Sequence, residues 1–216
     1  MTTANSYSLT TEIARILEPV SAIAARPDDS EEERLRKGLL MGGSIAILPV
    51  AAIWGALYAF YGEWVAAIIT LAYAAVNGLG IFYTAYTGKK RPFAEVQLAC
   101  TLILPLILNI VLGGWAGSSA VIIGALMAPL GALLYFDKDA AVKWFVAYLI
   151  IVVLTGVLNP FLTQGNNLPS WLRTVLYVMN IVIVSSLAFF ETLSYVRQRD
   201  RALGLLREEQ QRPTIC

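Results

Sequence analysis

The chain has 216 residues, of which 57% are hydrophobic and only 14% charged, with a formal net charge of +1. Water-soluble domains carry about 25% charged residues, so this composition, with a mean hydropathy of +0.65, places the chain among integral membrane proteins. It holds no histidine, which excludes His-dependent metal sites, Ser-His catalytic pairs and His phosphorylation.

Residues 1–37 form the first segment and lack the basic-then-apolar start of a cleaved signal peptide. Leu9, Ile13, Ile16, Leu17 and Val20 recur at helical spacing beside Glu12, Arg15 and Glu18. This predicts an amphipathic helix that lies on the membrane or the bundle, or docks a partner. "PDDSEEE" then supplies a break and an acidic helix start, suited to the positive end of the next helix dipole. From there the expected fold is all-α, a polytopic bundle of six transmembrane helices at 38–61, 64–87, 93–113, 115–136, 141–163 and 171–195. Each is a continuous apolar run near the ~20 residues a helix needs to cross hydrocarbon. Little more than "GGWAG" separates the third and fourth, so that hairpin must be tight. Residues 196–216 form a charged stalk helix and tail. No internal repeat is visible.

The loops orient the bundle. All but one of the 16 Lys and Arg residues fall on the side that holds both termini, and only Arg173 lies opposite. By the positive-inside rule both termini are cytoplasmic, in a multi-pass protein of the inner (plasma) membrane. Trp64, Trp115 and Trp171 fall at the outer ends, where indoles prefer to sit.

Polar residues within the spans are few. Asn109, Asn159 and Asn180 are expected in the outer half and Asn77 near the middle, all turned away from lipid. They either bond neighbouring helices or line a pocket for a small apolar or lipid-like ligand. Glu95 and Glu191 sit near inner helix ends with basic residues within reach, which favours ion pairs over proton relay. Pro49, Pro105, Pro129 and Pro160 interrupt spans, and Cys100 reads as a packing residue. There is no P-loop, metal-ligand cluster or activated nucleophile, so no cofactor, catalytic residue or nucleic-acid partner is expected.

After the sixth span, Val196, Leu203, Leu206 and Gln210 fit alternate a and d positions of a two-heptad seam. That is too short to hold a coiled coil alone but suits a parallel homodimer stalk. Signal coupling is expected along Glu191, Val196, Arg199, Leu203 and Leu206.

"SSAVIIGALMAPLGALLYF", "LNPFL" and "MNIVIVSSLAFFETLSYVRQRDRALGLLREEQQR" resemble the six-span N-terminal membrane domain of bacterial class III adenylate/guanylate cyclases. The resemblance covers roughly residues 31–211. It implies a membrane anchor, dimerisation and sensory domain whose stalk leads to a catalytic homodimer. The chain reads "QRPTIC" and stops where that family continues, so no enzyme activity is expected of it alone. A small six-helix transporter or channel subunit, or the membrane sensor of another output module, fits the same spans.

Overall fold

The computed structural model describes residues 26–162 and 165–211, and among them every regular element is helical. Helix α1 (Glu31–Phe60) begins at the acidic cluster. Ser30 caps it: its hydroxyl oxygen accepts from the Glu33 amide at 3.2 Å, satisfying a donor the first turn leaves open. Pro49 lies inside α1 without ending it. Helix α2 (Trp64–Thr87) coincides with the second predicted span and closes on Gly88, whose φ of 73° is the left-handed cap that favours glycine. Helix α3 (Arg91–Val111) carries Pro105 inside it. After the single turn α4 (Gly114–Gly117) come a 3₁₀ stretch, Val121–Leu126, and helix α5 (Met127–Tyr135). Asp137 caps α6 (Lys138–Leu158), accepting from the Ala140 amide at 2.8 Å, and a 3₁₀ turn at Asn159–Phe161 ends it at Pro160. Helix α7 (Ser170–Gln211) runs unbroken for 42 residues. The amphipathic stretch expected over residues 9–20 lies outside the described residues.

Among the described residues, five helices are long and apolar enough to cross a membrane. They correspond to the first, second, third, fifth and sixth predicted spans. The predicted fourth span, 115–136, departs from expectation. It is broken by Ser119 and Ala120 at φ 57° and 54°, and only Val121–Tyr135 remains as a shorter apolar helix. Within that stretch Pro129 lacks an amide to donate and sits in the first turn of α5, where the 3₁₀ stretch relaxes to α.

The broken stretch nonetheless retraces α3 from end to end. Ser118 meets Asn109, Gly124 lies against Pro105 and Gly131 against Leu98, and Tyr135 and Phe136 pack on Phe93 and Ala94. A 3₁₀ helix rises about 2.0 Å per residue against 1.5 Å in an α-helix. Six 3₁₀ and nine α residues therefore reach about 25 Å, and α4 adds about 6 Å. That equals the length of α3.

Small residues make the tightest helix contacts, within a core that also buries Leu40, Tyr58, Phe93 and Leu112. On α2 the buried face is Ala66, Ala67, Thr70, Tyr73, Asn77 and Thr84, while Ile68, Leu79, Phe82 and Tyr86 point outward, Tyr86 at 79% exposure. Ala125, Ala128 and Ala132 are fully buried, and a Cβ on Gly80 would strike the ring of Phe93. Small residues let helices approach closely where lipid removes the usual reason to hide large apolar groups. In water this surface would aggregate. The architecture is that of a helical membrane protein.

Residues 26–37 close the end of the bundle that carries Lys89, Lys90 and Arg91, here the basic end. Lys37 is buried and its ammonium donates to both Asp29 oxygens at 2.8 Å. Glu33 pairs with Lys90 at 3.3 Å, and the Arg26 guanidinium donates to the Tyr86 carbonyl at 2.8 Å. The Lys37 hydrogen bond holds the Asp29 carboxyl below the usual carboxylate range. A depressed carboxyl contributes stability that is complete above the ordinary pKa of about 4 and is lost as pH falls through the lower folded value. Thermal melting in detergent should therefore show an acid limb below pH ~4 that shrinks in Asp29→Asn. Asp29→Asn should also melt lower at neutral pH, because it leaves the buried ammonium unpaired. An unchanged acid limb would assign it to other carboxylates.

Candidate functional site

At the opposite end, α3 gives way to the most contorted backbone among the described residues. Gly113 and Gly114 have φ of 85° and 83°, and Ser119 and Ala120 follow in the left-handed region. Such a conformation costs a side-chain-bearing residue about 1–3 kcal/mol, so the turn has to be held from outside. Two glycines leave no alternative. A Cβ on Gly114 would lie 2.6 Å from Asn159 Oδ1, and one on Gly117 would collide with the Leu112 carbonyl.

Four asparagines from four parts of the chain hold it. Asn109, on the last turn of α3, accepts through Oδ1 from the Ser118 hydroxyl at 3.1 Å. Asn159, at the end of α6, accepts from the Trp115 amide at 2.9 Å. Asn166 donates from Nδ2 to the carbonyls of Leu112 and Gly117, both at 2.8 Å. Asn180 on α7 donates to the Ser119 carbonyl at 2.9 Å. Glu63 joins the loop before α7 to the start of α2 by accepting from the Asn167 amide at 2.6 Å. Trp64, Trp115 and Trp171 are all exposed at this end.

Three of the four asparagines singled out in the sequence thus converge on one turn. Asn159 and Asn180 bond its backbone and Asn109 bonds Ser118. Asn77 stands apart, fully buried on α2, donating to the Ser44 carbonyl of α1 at 3.1 Å. The fourth member of the node, Asn166, lies in the loop outside the spans, beyond a search restricted to intramembrane polar residues. Its pair of adjacent amides in "GNN", ahead of Pro169, was the available signal. Asn109 Nδ2 and the Ser119 hydroxyl remain buried without a partner.

Beside the turn, an apolar cavity of about 340 Å³ opens between the 3₁₀ stretch, α6 and α7, lined by Trp115, Ala120, Ile122, Tyr148, Val152 and Tyr177 among others. None of the four sequence-predicted asparagines lines it.

The residues expected to couple a signal all fall on α7. Val196 is 42% exposed, and the side chains of Glu191, Arg199, Leu203 and Leu206 lie outside the described residues. Glu95 forms an ion pair with Arg91 at 3.1 Å, one helical turn away. Cys100 is a half-buried free thiol on α3. Comparison of the chain with family models, curated proteins and solved structures finds no match in any of the three.

The bonding pattern ranks the amides. Asn166→Ala orphans two carbonyls and should cost about 1–3 kcal/mol in reversible detergent unfolding followed by tryptophan fluorescence. Asn109→Leu removes one acceptor, of the Ser118 hydroxyl, together with a buried donor that has no partner, so it should cost less than Asn166→Ala. The reverse order would contradict the strut assignment.

Proposed function

We propose that this chain is the membrane anchor, dimerisation and sensory domain of a class III nucleotide cyclase, passing a signal through α7 to the catalytic domain of its parent protein. One observation carries the reading: α7 is gripped at one end and exposed beyond it. Leu172, Leu176 and Val184 are buried and Asn180 is tied to the pinned turn. Beyond Val184, Ser185, Ser186, Leu187, Phe189, Thr192 and Val196 are exposed. At 1.5 Å per residue, 42 residues make a rod of about 63 Å, twice the hydrocarbon thickness of about 30 Å. A stiff rod held at one end transmits displacement to the other.

In this reading the Gly114–Tyr135 stretch is a fourth crossing, supported by its end-to-end run along α3. Six crossings put both termini on one side, and the distribution of Lys and Arg makes that side the cytoplasm of an inner-membrane protein. The exposed half of α7 is the face at which a second copy joins in a parallel homodimer. Chemistry belongs to the class III domain downstream, and this chain turns over neither ATP nor GTP by itself.

Two measurements test it. In a background lacking Cys100 and Cys216, cysteine at Gly165, where a Cβ meets open space, should label from outside, and cysteine at the exposed Lys89 only from inside. Labelling of both from one side would remove the fourth crossing. In a fusion to a class III catalytic domain after Gln211, inserting one residue rotates the attached domain by about 100°. It should lower cyclase activity well below that of a seven-residue insertion. Equal activity of the two would end the transducer reading.

A further inference from the structure

The basic end holds a second cavity, of about 820 Å³, framed by the starts of α1, α3 and α6. Six cations line it, Arg26, Arg36, Lys37, Lys89, Lys90 and Arg91, against four carboxylates, Asp28, Asp29, Glu33 and Asp137. Three of the carboxylates are engaged. Asp29 holds Lys37, Glu33 holds Lys90, and Asp137 accepts from the Ala140 amide. With those pairs closed, the cations most open to a new partner are Lys89 and Arg91. Lys89 is exposed. Among the described residues Arg91 bonds Glu95, and both side chains are more than half exposed, so that pair is worth no more than about 1 kcal/mol. The first turn of α3, which also borders the cavity, carries no side-chain cap.

The cavity is bordered by Thr87 and Gly88 at the end of α2. Just before them Tyr86, and Phe82 one turn earlier, stand outward on α2 with stacked rings 6.4 Å apart. An acyl chain lying along that aromatic pair would place its headgroup at Lys89. We propose that this cavity binds the phosphate of an anionic phospholipid from the adjacent leaflet, with Lys89 and Arg91 as its main contacts. Basic pockets between helices at a membrane surface suit such headgroups. The proposal requires only that the bundle sits in a bilayer and is independent of any output domain beyond α7.

The test uses the full chain, delipidated in detergent and titrated with phosphatidylglycerol or phosphatidylcholine, counting retained lipids by native mass spectrometry. The intact chain should prefer phosphatidylglycerol. Lys89→Gln with Arg91→Gln should weaken that preference about tenfold or more, each basic residue near a membrane surface being worth about 1 kcal/mol. Lys138→Gln with Lys143→Gln removes the same charge from exposed positions outside the cavity and should change it less than about twofold, a diffuse effect. Equal losses in the two double variants would overturn the site in favour of general surface charge. Displacement of the lipid by millimolar inorganic phosphate would overturn the lipid assignment in favour of a soluble phosphate compound.

Discussion

A peptide group that leaves a helix inside a membrane protein has no water to bond, and each one left open costs several kcal/mol. The Leu112–Ala120 turn answers that constraint with side-chain amides. Asparagine can accept and donate at once, and the node uses both functions: Asn159 accepts from an amide, while Asn166 and Asn180 donate to carbonyls. The rest of the bundle depends on this turn because it launches the broken stretch on which α1, α3, α6 and α7 all pack. α1 meets that stretch lightly and packs mainly on α2, which is held in turn through α1 and α3.

The two ends are stabilised by different chemistry. At the amide end the four asparagines secure strained backbone with neutral dipoles, whose bonds do not depend on pH. At the basic end, charged groups secure an otherwise open approach to α1, and Lys37 with Asp29 is the one pair there that is largely withdrawn from solvent. Salt should therefore loosen the basic end before it affects the amide end.

Much of this was legible in the residues. Trp64–Thr87 was bounded by Gly62 and Gly88, whose positive φ values are the physical form of those sequence breaks. Ser30 could be read as a cap from the acidic run behind it. The interruption at Ser119–Ala120 could not be read, because an apolar stretch with no polar face has no period to lose. The left-handed residues are moreover serine and alanine, not glycine, so composition hides the strain that tertiary contacts impose. Asn109, Asn159 and Asn180 were legible as turned away from lipid, and Asn166, outside the spans, was not. Their convergence was not, since four residues spread from 109 to 180 meet only through the fold. The seam along Leu203 and Leu206 lies on helix, but what it faces is a property of an assembly and not of one chain.

The use of small residues at the tightest helix contacts has a consequence for how such a sequence can drift. In a water-soluble protein the interior tolerates exchange among large apolar residues and the surface tolerates almost any polar one. Here the closest helix contacts rest on glycine and alanine, where a larger residue would force a shift, as Gly80 against Phe93 and Gly131 against Leu98 illustrate, while Leu40, Tyr58 and Leu112 fill other interior positions. The outward positions, Ile68, Phe82, Val153 or Val182, meet only fluid hydrocarbon and can interchange freely among apolar types. Descendants of this chain should therefore keep the small residues at these contacts and exchange the outward apolar ones freely.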